Sequence, residues 1–87
     1  MSKKMLAAFW NCGDSQIIDF AIERARLNKR ERETVRLILD ECFSQEEAAE
    51  AMNISTRLLQ QQWHSAEKKL LAIPWVTAYA VDLINKQ

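Results

Sequence analysis

The stretch Phe43–Trp63, "FSQEEAAEAMNISTRLLQQQW", predicts two helices joined by a tight turn. Ser44 and Glu47 have the spacing of a reciprocal cap, in which each side chain bonds the backbone amide of the other residue, so a helix is expected to begin at Ser44. Asn53 tolerates the left-handed backbone conformation better than most non-glycine residues, so the chain can reverse there. Ser55 then caps the second helix.

Outward from this stretch, the sequence predicts further helices and no strand. A short helix over residues 3–13 is expected to stop at Gly13, and Asp14 or Ser15 caps the next one. Asn28 and Glu31 repeat the reciprocal cap before a helix over residues 29–41, and Pro74 is well placed to begin a final helix. The positions expected to face the core are Met5, Leu6, Phe9, Trp10, Ile17, Ile18, Ala21, Ile22, Ala25, Val35, Ile38, Leu39, Cys42, Ala48, Ala49, Met52, Trp75, Val76, Tyr79, Leu83 and Ile84.

Length and composition favour one small all-α domain over residues 1–87, a bundle of five to six helices with its core in residues 27–70. The chain is 48% hydrophobic and has one glycine and one proline, which suits helices with short turns. Cys12 and Cys42 lack metal-ligand spacing and are expected to be buried thiols. Without a signal-like or membrane-spanning segment, the expected compartment is a reducing cytoplasm.

Charge is balanced overall but divided along the chain. Twelve basic residues match twelve acidic ones, so net charge does not indicate a nucleic-acid partner. Residues 24–36 hold six basic side chains against two acidic ones, whereas residues 40–50 hold five carboxylates and no base. This division could orient a partner, or it could be ordinary helix surface with paired charges.

A helical projection of residues 56–70 separates an apolar stripe from a polar one. The apolar stripe consists of Leu59, Trp63, Ala66 and Leu70. The opposite stripe consists of Arg57, Gln61, His64 and Lys68, with Gln60 and Ser65 beside it and Gln62 nearer the buried edge. The outward face is therefore rich in hydrogen-bonding groups and mildly basic.

This outward face has the chemistry of a helix that reads DNA in the major groove. Glutamine can pair with adenine N6 and N7, and arginine with guanine O6 and N7. Glutamine cannot neutralise phosphate, so that task would fall to lysines and arginines nearby. The residues predicted to contact DNA are Ser55, Thr56, Arg57, Gln60, Gln61, His64, Lys68, Lys69, Arg30 and Arg32.

Residues 27–70 resemble the helix-turn-helix domain shared by region 4 of bacterial sigma factors and the LuxR-type regulators. The matching positions are Leu27, Arg30, Glu31, Arg32, Glu33, Leu37, Ser44, Glu47, Ala49, Met52, Ile54, Ser55, Leu59, Ala66, Lys69 and Leu70. The sequence departs from the pattern where Asn53 replaces the usual glycine, Ala48 replaces isoleucine, and Gln60 and Gln62 replace basic residues. The resemblance implies a sequence-specific transcriptional regulator of bacterial, phage or mobile-element origin.

Two alternatives concern its partners. A domain of this type could instead be a protein interaction module that docks on RNA polymerase, a sigma factor or another regulator. The apolar groups at the two ends could fold over the same core, or part of that surface could form a homodimer that sets two helices on DNA half-sites roughly 34 Å apart.

No catalytic, cofactor-binding or metal-binding spacing accompanies His64, so we expect no enzymatic activity, cofactor or metal.

Overall fold

The computed structural model describes residues 2–11 and 14–85, with side chains from Leu6 onward, and this part of the chain is helical without a strand. The helices are α1 (Ser2–Trp10), α2 (Ser15–Ala25), α3 (Lys29–Val35), α4 (Gln45–Ala51), α5 (Thr56–Leu71) and α6 (Pro74–Asn85). The prediction of an all-α fold with five to six helices is confirmed. The predicted stop at Gly13 and the thiol of Cys12 lie outside the described residues.

The chain divides into two compact units. The central unit, Leu27–Ala66, contains α3, α4 and most of α5. The terminal unit, made of Met1–Arg26 and Glu67–Gln87, contains α1, α2, the end of α5 and α6. The assignment of residues 1–87 to a single domain stays a prediction.

Both predicted reciprocal caps are present in the central unit. The Asn28 backbone N–H donates to Glu31 Oε1, and the Glu31 backbone N–H donates to Asn28 Oδ1, each over 2.8 Å. The Ser44 backbone N–H donates to Glu47 Oε1 over 2.9 Å, and the Glu47 N–H donates to Ser44 Oγ over 3.1 Å. These bonds satisfy amides that the first turn of a helix leaves without partners, so α3 and α4 begin where the sequence predicts.

The turn between α4 and α5 follows the prediction for Asn53. This residue has a φ of 57°, in the left-handed region, and its backbone N–H bonds to the Glu50 carbonyl over 3.1 Å. Ser55 Oγ accepts a 3.1 Å hydrogen bond from the Leu58 N–H and thereby caps α5. Half-buried Ile54 occupies the turn between them.

The end of α3 departs from the prediction. A π-helical turn, Arg36–Asp40, continues the helix. Its hydrogen bonds join residues five positions apart, as in the 3.2 Å bond from the Glu41 N–H to the Arg36 carbonyl. Cys42 then adopts a φ of 57°, and the thiol predicted to face inward is exposed. The prediction for Cys42 is wrong because the π-helical turn changes the register and the left-handed residue ends the helix before the inward position is reached.

The core of the central unit combines apolar residues with two buried polar side chains, Glu31 and Thr34. Thr34 Oγ1 donates to the Arg30 carbonyl over 2.8 Å and lies 3.4 Å from Met52 Sδ. Among the described residues, every buried side-chain nitrogen and oxygen has a hydrogen-bond partner. The buried apolar residues of this unit are Leu27, Val35, Leu37, Ile38, Ala48, Ala49, Leu59, Trp63 and Ala66.

In the terminal unit, α1 packs against α6 through aromatic rings. Fully buried Phe9 makes edge contacts with Trp75 and Tyr79, at centroid distances of 6.2 and 5.9 Å. Trp75, predicted to pack inward, has 37% of its surface exposed although it touches Phe9. The predicted cap on α2 is present, because Asp14 Oδ1 accepts hydrogen bonds from two α2 backbone amides. None of the described helices combines the length and apolarity needed to cross a bilayer.

Candidate nucleic-acid interface

The outward face of α5 is the centre of the candidate interface. Arg57, Gln60, Gln61 and His64 are all exposed. The buried side of the same helix carries the predicted apolar stripe, whose four residues are 0 to 4% exposed: Leu59, Trp63, Ala66 and Leu70. Burial therefore agrees with the helical projection, and the four polar side chains project from a helix whose other side is anchored.

Gln60 is held by a residue that sequence reasoning missed. Its Nε2 donates a hydrogen bond to Gln45 Oε1 over 3.1 Å, which joins α5 to the first residue of α4. An amide group has two donor hydrogens and an acceptor oxygen, so this bond uses one donor and orients the rest. No spacing in the sequence reveals this contact, because the two residues are fifteen positions apart and meet only through the turn.

The edges of the predicted interface are less accessible than its centre. Thr56 and Gln62 are half-buried, which agrees with the placement of Gln62 near the buried edge. Ser55 is exposed, but its hydroxyl oxygen already accepts the capping bond from Leu58. Its hydroxyl hydrogen can still be donated to an acceptor such as a phosphate oxygen.

A buried carboxylate brings α3 beside the middle of α5. Glu31, 1% exposed, accepts a hydrogen bond from Ser65 Oγ through its Oε2, while its Oε1 serves the cap of α3. Arg30 and Arg32 stand on either side of Glu31 in the sequence, and both are exposed. The contact between Glu31 and Ser65 joins α3 to the segment of α5 that carries His64, and the two arginines lie one position to either side of this contact on α3.

The last two predicted contacts belong to the other compact unit. Lys68 is exposed and Lys69 is half-buried, and both lie in the last turns of α5, in its terminal-unit segment. Lys68 is accessible to a ligand over more of its side chain than Lys69.

The neighbouring α4 carries the opposite charge. Every carboxylate in residues 40–50 is exposed, namely Asp40, Glu41, Glu46, Glu47 and Glu50. Hydrogen bonds from the Ser44 backbone and side chain hold the pKa of Glu47 below its usual range, so it is ionised at neutral pH. The central unit thus presents acidic groups from Asp40 to Glu50 and basic groups on α3, at Arg36 and on α5.

Among the described residues, no three histidine, cysteine, aspartate or glutamate side chains are grouped as metal ligands would be. Comparison with protein-family models, with curated proteins and with solved structures gives no match for this chain. The resemblance of residues 27–70 to sigma region 4 and LuxR-type domains therefore rests on the motif positions alone.

Proposed function

We propose that the protein is a sequence-specific DNA-binding transcriptional regulator that reads the major groove with α5. The observation that carries the proposal is the exposed polar face of Arg57, Gln60, Gln61 and His64 on a helix anchored by its buried stripe. The capped α4, the left-handed turn at Asn53 and the cap at Ser55 support it, because this sequence of elements is the one found in helix-turn-helix domains. The resemblance favours a bacterial, phage or mobile-element origin.

In this proposal, base recognition depends on arginine and amide groups. Arg57 is suited to guanine, and the amides of Gln60 and Gln61 are suited to adenine. The bond that Gln60 donates to Gln45 supports the assignment, because it limits the orientations of the Gln60 amide before DNA is bound. His64 adds a hydrogen-bonding group one turn further along the same face.

Phosphate contacts in this proposal come from the basic residues beside the reading face. Arg30 and Arg32 are assigned to the DNA backbone because α3 meets α5 at Ser65, and Lys68 and Lys69 supply further charge along α5. These contacts position the protein without reading sequence. Since few charges are involved and net charge is zero, affinity is expected to be modest. Each phosphate contact should add about 0.9 to the slope with which log affinity falls against log salt.

Replacing Gln60 and Gln61 together by alanine is expected to remove sequence selectivity. Each well-placed amide pair contributes about 1–3 kcal/mol of base discrimination, so the preferred duplex should lose roughly tenfold or more of its advantage over random DNA. The measurement is selection from a randomised duplex pool, followed by gel-shift titration of the selected and scrambled sequences.

Gln62→Ala is the matched control for this experiment, because Gln62 lies on the same helix but is half-buried at its edge. It should select the same sequence as the wild type. Failure to enrich any sequence, together with equal weak binding by the wild type and the Gln60→Ala/Gln61→Ala variant, would contradict base reading by α5.

Replacing Arg30 and Arg32 by glutamine is expected to weaken binding to all duplexes by a similar factor. Each phosphate contact contributes about 0.9 to the slope of log affinity against log salt, so the slope should become shallower by about 2 if both contacts are lost. The measurement is fluorescence anisotropy with the selected and scrambled duplexes at several salt concentrations. An unchanged slope would remove these two arginines from the interface, and Lys29→Gln, an exposed basic residue on the same helix, provides the comparison.

A second candidate function is supported by the acidic surface of the central unit. The five exposed carboxylates of residues 40–50 would repel DNA but suit a basic protein surface. A protein interaction module that docks on polymerase, a sigma factor or another regulator would use this side. Absence of DNA binding even at low salt would favour this second function over the first.

A further inference from the structure

The terminal unit carries an open apolar groove on the side of α2 that faces α6. The groove has a volume of about 380 Å³ and is lined by Asp14, Gln16, Ile17, Phe20, Trp75 and Tyr79. Its wall is aromatic, because the Phe20 and Trp75 rings lie 5.8 Å apart between centroids at a tilt of 45°. All lining residues belong to the terminal unit.

Phe20 is the unusual member of this groove. It is 58% exposed, more than any other large apolar residue described, and its neighbour Trp75 is 37% exposed. Trp75 in turn meets buried Phe9, so the rings form a continuous path from the interior to the surface. Exposed aromatic patches of this kind are typical of protein contact sites, since the exposed rings gain roughly 25 cal/mol for each Å² removed from water.

We propose that this groove is the contact surface for a second copy of the chain. The two α2 helices would cross antiparallel about a two-fold axis near Phe20, so that the Phe20 ring of each copy enters the groove of the other. In such an isologous contact each copy contributes the same surface patch, so the assembly is complete as a dimer. The inference does not depend on DNA binding, because none of the residues that line the groove is among the predicted DNA contacts.

Charge along α2 supports a second copy as the occupant. The Asp14 carboxylate, at the cap of α2, lines the groove, whereas the end of the helix carries Arg24 and Arg26 with Glu23, in a second depression that Phe20 also lines. Antiparallel crossing places Asp14 of one copy near the arginine-bearing end of the other copy's α2, and it also opposes their helix dipoles. A net charge of zero means that two copies do not repel each other overall.

The size of the patch predicts a weak dimer. A stable standard interface covers about 800 Å² on each partner, which would be about one seventh of the 5789 Å² surface of this chain. The groove is lined by six residues, whereas each partner of a standard interface contributes about 20–30 residues. The expected behaviour is therefore a concentration-dependent equilibrium between monomer and dimer, not a permanent dimer.

The test is sedimentation of the full chain from about 10 µM to about 1 mM, the range over which weak interfaces associate. The wild-type mass should rise from 10.1 kDa at the lowest concentration towards twice that value. Phe20→Ser should raise the dissociation constant by roughly tenfold or more, because it removes the ring at the centre of the contact. Val81→Ser should leave it unchanged, since Val81 is 42% exposed but does not line the groove.

A charge test addresses the antiparallel arrangement. Gln16 and Arg24 each lie four residues from Phe20, so crossing at Phe20 brings Gln16 of one copy opposite Arg24 of the other. Gln16→Glu should tighten the dimer and Gln16→Lys should loosen it, each by about two- to fivefold for exposed charges. Circular dichroism should show all these variants equally folded, because the three substituted positions, Gln16, Phe20 and Val81, are exposed.

Three results would overturn the proposal. A monomeric mass at every concentration would mean that the groove has another occupant or none. Self-association that Phe20→Ser leaves unchanged would place the contact elsewhere on the chain. Equal responses to Gln16→Glu and Gln16→Lys would contradict the antiparallel pairing of α2.

Discussion

Glu31→Ala is expected to lower the free energy of unfolding by about 3 kcal/mol, a sum of the lost cap and the lost bond to a charged acceptor. Glu31 is 1% exposed, and its two carboxylate oxygens serve different partners, the Asn28 backbone N–H and the Ser65 hydroxyl. Alanine would leave both donors without this acceptor and open a space between α3 and α5. For a chain of this length the change corresponds to a fall in Tm of roughly 10–20 °C.

Glu47 provides the matched control, because it occupies the same position in the reciprocal cap of α4 but is exposed. Glu47→Ala should cost much less, since water can replace the lost acceptor. The free energies of unfolding of both variants are measured by urea denaturation at pH 7, with circular dichroism as the signal. The Glu47 pKa is lowered by folding, so its contribution is fully present at pH 7 and is lost as pH falls through that lowered value. Equal, small losses for the two variants would show that the Ser65 contact does not stabilise the central unit.

Phe9→Ala is expected to be the most destabilising change in the terminal unit, at roughly 3–5 kcal/mol for a buried aromatic truncated to alanine. Phe9 is fully buried and supports both Trp75 and Tyr79 through edge contacts, so its removal leaves a cavity between α1 and α6. The measurement is thermal denaturation together with amide hydrogen exchange in α1 and α6. Phe9→Leu, which keeps most of the apolar volume, should lose less than half as much stability.

The same exchange experiment tests the single-domain prediction for residues 1–87. If the chain unfolds as one domain, Phe9→Ala should lower amide protection in α3 and α4 as much as in α1 and α6. Loss of protection restricted to the terminal unit would mean that the two compact units unfold separately. A Tm within a few degrees of the wild type would contradict the role assigned to Phe9.

The features predicted correctly from the sequence are those decided within a few residues. A reciprocal cap needs only a short polar side chain and a glutamate three places later, and both predicted caps are present at Asn28 and Ser44. The left-handed turn at Asn53 is local in the same sense. The apolar stripe of α5 was predictable because a 16-residue helix gives the periodicity four turns in which to show.

The features missed are those that depend on register changes or on distant partners. Cys42 is exposed because one π-helical turn shifts the helical register, and no residue type in Arg36–Asp40 predicts that turn. Gln45 belongs to the candidate interface because the turn between α4 and α5 places it within hydrogen-bond distance of Gln60, which no local sequence pattern predicts. Phe20 falls beside the predicted stripe of α2, and its ring contact depends on where α6 places Trp75.

The hydrogen bond between Gln45 and Gln60 has a consequence for how such a protein can change its target. Gln45 on α4 and Gln60 on α5 are joined by one hydrogen bond, so a substitution at either position alters the rotamers available to the other. Under the proposed function, Gln45 influences base preference without being assigned a base contact of its own. Divergence of specificity should then proceed by correlated pairs of substitutions, and single changes at Gln60 should leave Gln45 adapted to the former target.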